Sequence, residues 1–127
     1  MSKKKFEIEM PVNASPSFLF NYIATPSGLS EWFAENVNSR GEKFTFIWDG
    51  GYEDVAYLIR SKYDEYVRYR WEYDEDTKYF FEIKIQVDEL TNDVSLIVID
   101  FAEEDDIEEA KELWRSQLED LKHTIGS

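Results

Sequence analysis

The 127-residue chain offers few side chains for catalysis. It contains no cysteine and a single histidine, His123. Thiolate nucleophiles, disulfides and cysteine-ligated metals are therefore excluded, and a histidine-dependent triad has one candidate. At helical spacing His123 projects about 180° from Trp114, onto a polar face near a helix C-terminus that favours a cation. We interpret it as a solvated residue rather than a catalytic or metal-binding one.

Carboxylates are abundant: 28 Asp and Glu stand against 14 Lys and Arg, a net charge of −14. The densest run lies between Asp100 and Glu109. Calcium binds such oxygens, but the spacing and the glycine of an EF-hand are missing, and acids are favoured at a helix N-terminus in any case. Gly50-Gly51 indicates a hairpin turn rather than a phosphate-binding loop. We predict no catalytic residue, no metal site and no cofactor.

Two arginines, Arg68 and Arg70, flank Tyr69 on a predicted strand. If Tyr69 faces inward, both arginines face solvent, where cross-strand ion pairs with acids such as Glu82 are expected. The alternative is an anion-binding clamp at the mouth of a cavity.

Gln117 lies within the apolar stripe of the last predicted helix. A buried amide needs hydrogen-bond partners. It could orient a ligand or bond the carbonyl group of a loop, and the sequence leaves both open.

The acidic balance also bears on partners and location. Such a charge repels phosphate backbones and anionic lipid, which argues against nucleic-acid and membrane-surface roles. Lysines at positions 3–5 precede Phe6–Met10, but glutamates interrupt any signal-like apolar run, and no stretch approaches membrane-spanning length. We expect one soluble, cytoplasmic domain over residues 1–127 without membrane insertion.

Alternation of apolar and polar residues predicts most of the chain to be strand. Ser15 before Pro16 is typical of a helix start, so a helix is predicted over 16–24, ended by Pro26 and Gly28, with a second short helix or turn at 29–33. Strands are predicted at 6–10, 37–39, 44–48, 55–60, 67–71, 79–88 and 94–101. The last run is apolar throughout, so we expect both of its faces to be covered.

The tail changes to helical periodicity over about 105–125. Asp105 is the expected N-cap, with Glu108 completing a capping box, and Gly126 the C-cap. Short turns between the strands favour an antiparallel meander, whose apolar face needs the apolar stripe of the helix. We therefore predict an α+β helix-grip fold, β-α-α-β-meander-α, with a curved antiparallel sheet of about six to seven strands wrapped round a long C-terminal helix.

The stretch Ala14–Phe33 resembles the opening of the START-like (SRPBCC) superfamily. Its Thr25-Pro26-x-x-Leu29-x-x-Trp32-Phe33 run is distinctive, and the strand ending Arg70-Trp71-Glu72 and the last helix with Trp114 also match. Within the superfamily the pattern is similar to bacterial relatives of the activator of heat-shock-protein-90 ATPase. The resemblance covers essentially the whole chain.

This resemblance implies a cavity between the last helix and the concave face of the sheet. Aromatic residues make 17 % of the chain, a load that a small domain must pack or use as a lining. The expected function is non-catalytic binding of a small apolar ligand. The candidate lining residues are Trp32, Phe33, Phe46, Trp48, Tyr57, Trp71, Phe81, Ile83, Trp114, Gln117 and Leu118.

Two alternatives remain from the same resemblance. One is a co-chaperone-like interaction module whose acidic surface docks a basic protein partner, with charge mainly raising the association rate. The other is an enzyme of the polyketide-cyclase type, for which Tyr57 and Gln117 would be the residues to test.

Overall fold

The computed structural model describes residues 2–127, which form one sheet and three α-helices. The helices are α1 (Pro16–Ala24), α2 (Pro26–Leu29) and α3 (Ile107–Ile125). The strands are β1 (Lys4–Val12), β2 (Asn36–Arg40), β3 (Lys43–Ile47), β4 (Glu53–Lys62), β5 (Tyr66–Trp71), β6 (Phe81–Val87) and β7 (Val94–Ala102). This confirms the predicted α+β fold with its seven-stranded curved antiparallel sheet and C-terminal helix.

The sheet has the strand order β1-β7-β6-β5-β4-β3-β2, and every neighbouring pair is antiparallel. Strands β2 to β7 form the meander, and β1 pairs with β7 at the far edge. Leu96, Ile97 and Val98 are all buried, so this part of β7 is covered on both faces as predicted.

The first helix has the predicted bounds, and the second begins earlier than predicted. α1 spans Pro16–Ala24, and the Ser15 hydroxyl accepts from the backbone N–H of Phe18, as expected. Pro26 follows the end of α1 and begins α2, so the helix or turn predicted at 29–33 starts at Pro26 instead; the Thr25 side chain accepts from the N–H of Gly28 at 3.0 Å. Proline is favoured at the first helical position because its missing N–H has no partner to lose there. Residues 30–35 form irregular turns.

The terminal helix has the predicted extent but a different start. A 3-10 turn at Glu104–Asp106 leads into α3, whose N-cap is Asp106 without a side-chain hydrogen bond. The capping box expected from Asp105 and Glu108 is therefore wrong. At the other end, Gly126 adopts φ 76°, a left-handed conformation that caps the helix as predicted.

Both helical layers pack on the same concave face of the sheet. Leu19 and Ile23 of α1, and Leu118 and Leu121 of α3, are fully buried in one continuous core. Tyr69 of β5 is buried as well; its hydroxyl donates to the carbonyl of Ile23 at 2.7 Å, which satisfies its polar tip. Burial raises the pKa of this tyrosine well above its usual value.

Two strands differ in detail from the pattern. The strand predicted at 79–88 spans only Phe81–Val87, and the carbonyl of Tyr79 before it accepts from Arg70 Nε instead of from a neighbouring strand. The register of β4 against β5 shifts between Leu58 and Arg60, a bulge that alternation alone does not reveal.

Gly28 allows α2 to approach α1, and a side chain there would collide with backbone. A Cβ atom at this position would lie 2.0 Å from the carbonyl oxygen of Asn21. We expect Gly28→Ala to lower the free energy of unfolding by about 3 kcal/mol, since backbone cannot give way as a side chain can. Urea unfolding measures this. The matched control is Ser27→Ala at the exposed neighbour, and equal stability of the two variants would contradict the prediction.

Candidate functional site

Aromatic rings fill the space between α3 and the concave face of the sheet. Phe33 is their centre: its ring centroid lies 5.3 Å from Phe46, 5.5 Å from Trp48, 5.9 Å from Phe81 and 5.6 Å from Trp114. With Phe81 of the sheet and Trp114 of the helix it makes near-parallel stacks, at 27° and 25°. Phe81 and Trp114 also contact each other, with ring centroids 5.8 Å apart, so Phe33 packs against this pair of rings.

Phe33 reaches this pair of rings from a loop rather than from a helix or strand. Phe33 belongs to the irregular segment 30–35, and its backbone N–H bonds the carbonyl of Leu29 at 2.9 Å. Its own carbonyl accepts from Gln117 Nε2 at 3.3 Å, a long hydrogen bond. Of the two possibilities for Gln117, the structure therefore shows the bond to a loop carbonyl.

The structure brings the predicted lining residues together with one exception. Trp48, Trp71 and Gln117 are half-buried at the edge of the aromatic cluster. The fully or nearly fully buried members are Trp32, Phe33, Phe46, Phe81, Ile83, Trp114 and Leu118.

Tyr57 is the exception and lies on the convex face. Its cross-strand partner is Arg70, whereas Ala56 faces Trp71 and therefore points to the concave side. Its hydroxyl donates to Glu72 at 3.2 Å. Both alternating sets of β4 are largely apolar, so periodicity does not decide which set faces inward.

A cleft opens beside the Phe33 loop. Its volume is about 520 Å³, within the range of small-molecule sites. Three aromatic rings and a rim of acidic side chains line it: Ser30, Glu31, Trp32, Phe33, Ala34, Glu35, Trp48, Asp49 and Asp120. We call this space the Phe33 cleft.

A larger groove, of about 1060 Å³, lies elsewhere, between the β1–α1 loop, the β6–β7 turn and the C-terminus. It includes no aromatic side chain. The Phe33 cleft is the stronger candidate because it adjoins the aromatic cluster.

Two aspartates that the sequence analysis missed fix the indole rings. Trp48 Nε1 donates to Asp54 at 2.7 Å, and Trp114 Nε1 donates to Asp100 at 2.9 Å. Asp100 follows Leu96 and Val98 at the inward-facing positions of β7, so a carboxylate on the apolar phase of a strand is the signal that could have revealed it. Asp54 lies on the same face of β4 as Ala56, and the sequence pattern does not show which face of β4 points inward.

Burial raises the pKa of Asp100 to about 6. Hydrogen bonds from Trp114 and from the backbone N–H of Phe101 favour the charged form, as does Lys3, while Asp74 disfavours it. Desolvation dominates over these contacts.

Tyr73 lies near the same carboxylates. Its ring stacks on Trp71 with a centroid distance of 5.9 Å and an interplanar angle of 9°. Loss of hydration and the charges of Asp54, Asp74 and Asp100 raise its pKa to about 12. The electrostatic potential at this end of the aromatic cluster is therefore strongly negative.

The arginines lie outside this site, on the convex face. Arg68 Nε pairs with Glu82 at 2.8 Å, and its guanidinium lies 4.0 Å from the ring centroid of Phe80. This confirms the ion-pair interpretation for Arg68, while Arg70 bonds a backbone carbonyl instead. His123 is exposed, as expected.

Among residues 2–127, no group of three His, Cys, Asp or Glu side chains is arranged to hold a metal ion. Within the same range no helix is long and apolar enough to cross a membrane.

A curved antiparallel sheet that holds a C-terminal helix against its concave face, with an aromatic site between them, defines a START-like domain. A family model described as a START-like superfamily domain matches residues 1–127, and the chain belongs to this superfamily. The resemblance inferred from the sequence is thereby confirmed.

Solved structures agree with this assignment. The chain is 35 % identical to BfR322 from Bacteroides fragilis, with coverage of 98 % of this chain and 93 % of that one and a TM-score of 0.71. The Aha1 dimer from Colwellia psychrerythraea shares the fold at 16 % identity, covering 94 % and 93 % with a TM-score of 0.77. An uncharacterised Bacillus thuringiensis protein has 15 % identity, coverage of 98 % and 100 %, and a TM-score of 0.80. The comparison with curated proteins found no match.

The raised pKa of Asp100 predicts how stability depends on pH. Its folded-state pKa of about 6 exceeds the usual 3.8, so the stability it contributes below about pH 4 is lost as the pH rises through 6. Asp100→Asn keeps an oxygen acceptor for Trp114 but carries no charge. At a pH above this titration range, we expect the free energy of unfolding of the variant to exceed that of the parent by about 2 kcal/mol.

Urea unfolding of both proteins between these pH values measures the effect. The difference in the free energy of unfolding should shrink towards zero as the pH falls to the pKa of an ordinary aspartate. A difference that stays constant with pH would contradict the prediction.

Proposed function

We propose that this domain binds a small, planar, apolar ligand at the Phe33 cleft, between α3 and the concave face of the sheet, and releases it chemically unchanged. One observation carries the proposal: the ring of a loop residue, Phe33, stacks on both Phe81 and Trp114, which also contact each other. A ligand ring of similar size would make the same stacks once Phe33 moves out. The START-like fold commonly serves to bind hydrophobic ligands, which supports this proposal.

The Phe33 loop is held weakly on the helix side. Gln117 reaches the Phe33 carbonyl at 3.3 Å, and Thr124 Oγ1 is 3.5 Å from the carbonyl of Glu31, at the limit of a hydrogen bond. The preceding Trp32 is fixed more firmly, since its Nε1 donates to the Tyr22 carbonyl at 2.8 Å. Phe33 can therefore swing about an anchored Trp32.

Burial of rings would supply the affinity in this mechanism. Phe33 is already buried in contact with other aromatic residues, so exchange of its ring for a ligand ring would conserve the stacking and bury additional ligand surface in the cleft. Opening the loop has a free-energy cost that reduces the apparent affinity by the fraction of open molecules. Contacts that hold the loop closed thus oppose binding.

Gln117→Ala tests this mechanism because it releases the Phe33 carbonyl without changing any ring. A neutral hydrogen bond is worth about 1 kcal/mol, so we expect roughly fivefold tighter binding of acridine. Acridine is a planar probe that is neutral in mildly alkaline buffer. Fluorescence titration gives the dissociation constants of the variant and the parent.

The control is Ser116→Ala, the exposed neighbour on the same helix, which should leave the affinity unchanged. The proposed function fails if acridine shows no saturable binding to either protein. It fails also if the Gln117 variant binds acridine no tighter than the control does.

A further inference from the structure

We propose that the ligand of the Phe33 cleft is an organic cation, with its positive charge on or next to a planar ring system. This inference rests on the proposed function and adds the chemical class of the ligand.

The rim of the cleft carries charge of one sign. Four carboxylates line it, and none of its lining residues is lysine, arginine or histidine. The four are Glu31, Glu35, Asp49 and Asp120, and all are exposed. Because they come from the loop, the β3–β4 turn and α3, they surround the opening instead of forming one run of sequence. A cation entering the cleft meets negative charge from three sides.

The back wall of the cleft suits the same ligand. Trp32, Phe33 and Trp48 line it. Trp32 and Phe33 are nearly fully buried, so the half-buried Trp48 is the ring most open to a ligand, and indole is the aromatic group that attracts cations most strongly. Trp48 is held in place through Nε1 by Asp54, so the carboxylate both orients the ring and adds negative potential behind it. Trp114, which stacks on Phe33, has the same arrangement with Asp100.

These features act together on a charged aromatic ligand. The rings provide stacking for a planar group, while the rim and the two carboxylates behind the indoles favour positive charge over neutral or negative charge. The net charge of −14 acts in the same direction at longer range. An anionic ring of equal shape would be repelled by every ionised group around the cleft.

A matched pair of probes separates charge from shape. N-methylacridinium carries a permanent positive charge on the same ring system as acridine. We expect it to bind the parent protein roughly fivefold tighter than neutral acridine, and acridine-9-carboxylate to bind more weakly than either. Glu35→Gln combined with Asp49→Asn should remove most of this preference, and Glu31→Gln with Asp120→Asn should act alike.

The control removes two charges away from the cleft: Asp76→Asn with Glu89→Gln, at exposed turn positions. It should leave the preference for the cation nearly intact. Equal binding of acridine and N-methylacridinium overturns the inference while the proposed function stands. An equal loss in the rim and control variants also overturns it, since the preference would then reflect the overall charge. Absence of saturable acridine binding defeats the proposed function, and with it the inference that rests on it.

Discussion

Trp114 is the residue at which the terminal helix, the sheet and the aromatic cluster meet. Its ring stacks with Phe33 and contacts Phe81, and its N–H bonds Asp100 of β7. Trp114 thus joins α3 to the sheet and to the loop that carries Phe33. The site depends on these contacts, because Phe81 and Trp114, whose ring centroids are 5.8 Å apart, together form the surface on which Phe33 stacks. Apolar burial along Leu118 and Leu121 stabilises the same arrangement further down the helix.

Much of the architecture follows from periodicity in the sequence. Alternation located the strands and the 3.6-residue stripe located α3, because each pattern matches a face that must be buried. The predictions failed where one sequence pattern is compatible with two structures. Pro26 follows the end of α1, as predicted, but it also starts α2, ahead of the second helix expected at 29–33. β4 is apolar on both faces, so Tyr57 was placed on the wrong one. The two aspartates were missed since a carboxylate beside an indole depends on contacts between strands and helix that no local pattern encodes.

The density of rings bears on how a packed core could admit a ligand. Rings are flat and rigid, so a ligand ring that takes the place of Phe33 would need little rearrangement of Phe81 and Trp114. Phe81 and Trp114 are held by a strand and a long helix, whereas Phe33 belongs to turns. The proposed exchange therefore requires movement of one loop residue. A core of branched aliphatic residues of equal volume would interlock in three dimensions and would not release a single member so readily.

Asp100 connects the stability of the fold to the proposed ligand. An ionised carboxylate with a raised pKa destabilises the native state near neutral pH, while an asparagine could accept the same bond from Trp114. A cation bound on the other side of the indole would offset part of that destabilisation, since opposite charge lowers the pKa of a carboxyl group. Binding of such a ligand would then release protons over the range in which Asp100 titrates, and affinity would rise with pH there. A neutral ligand in the place of Phe33 displaces water without supplying charge, so its binding would favour the protonated form of Asp100 instead. The direction of proton linkage therefore follows from the charge of the ligand and from the single contact between Trp114 and Asp100.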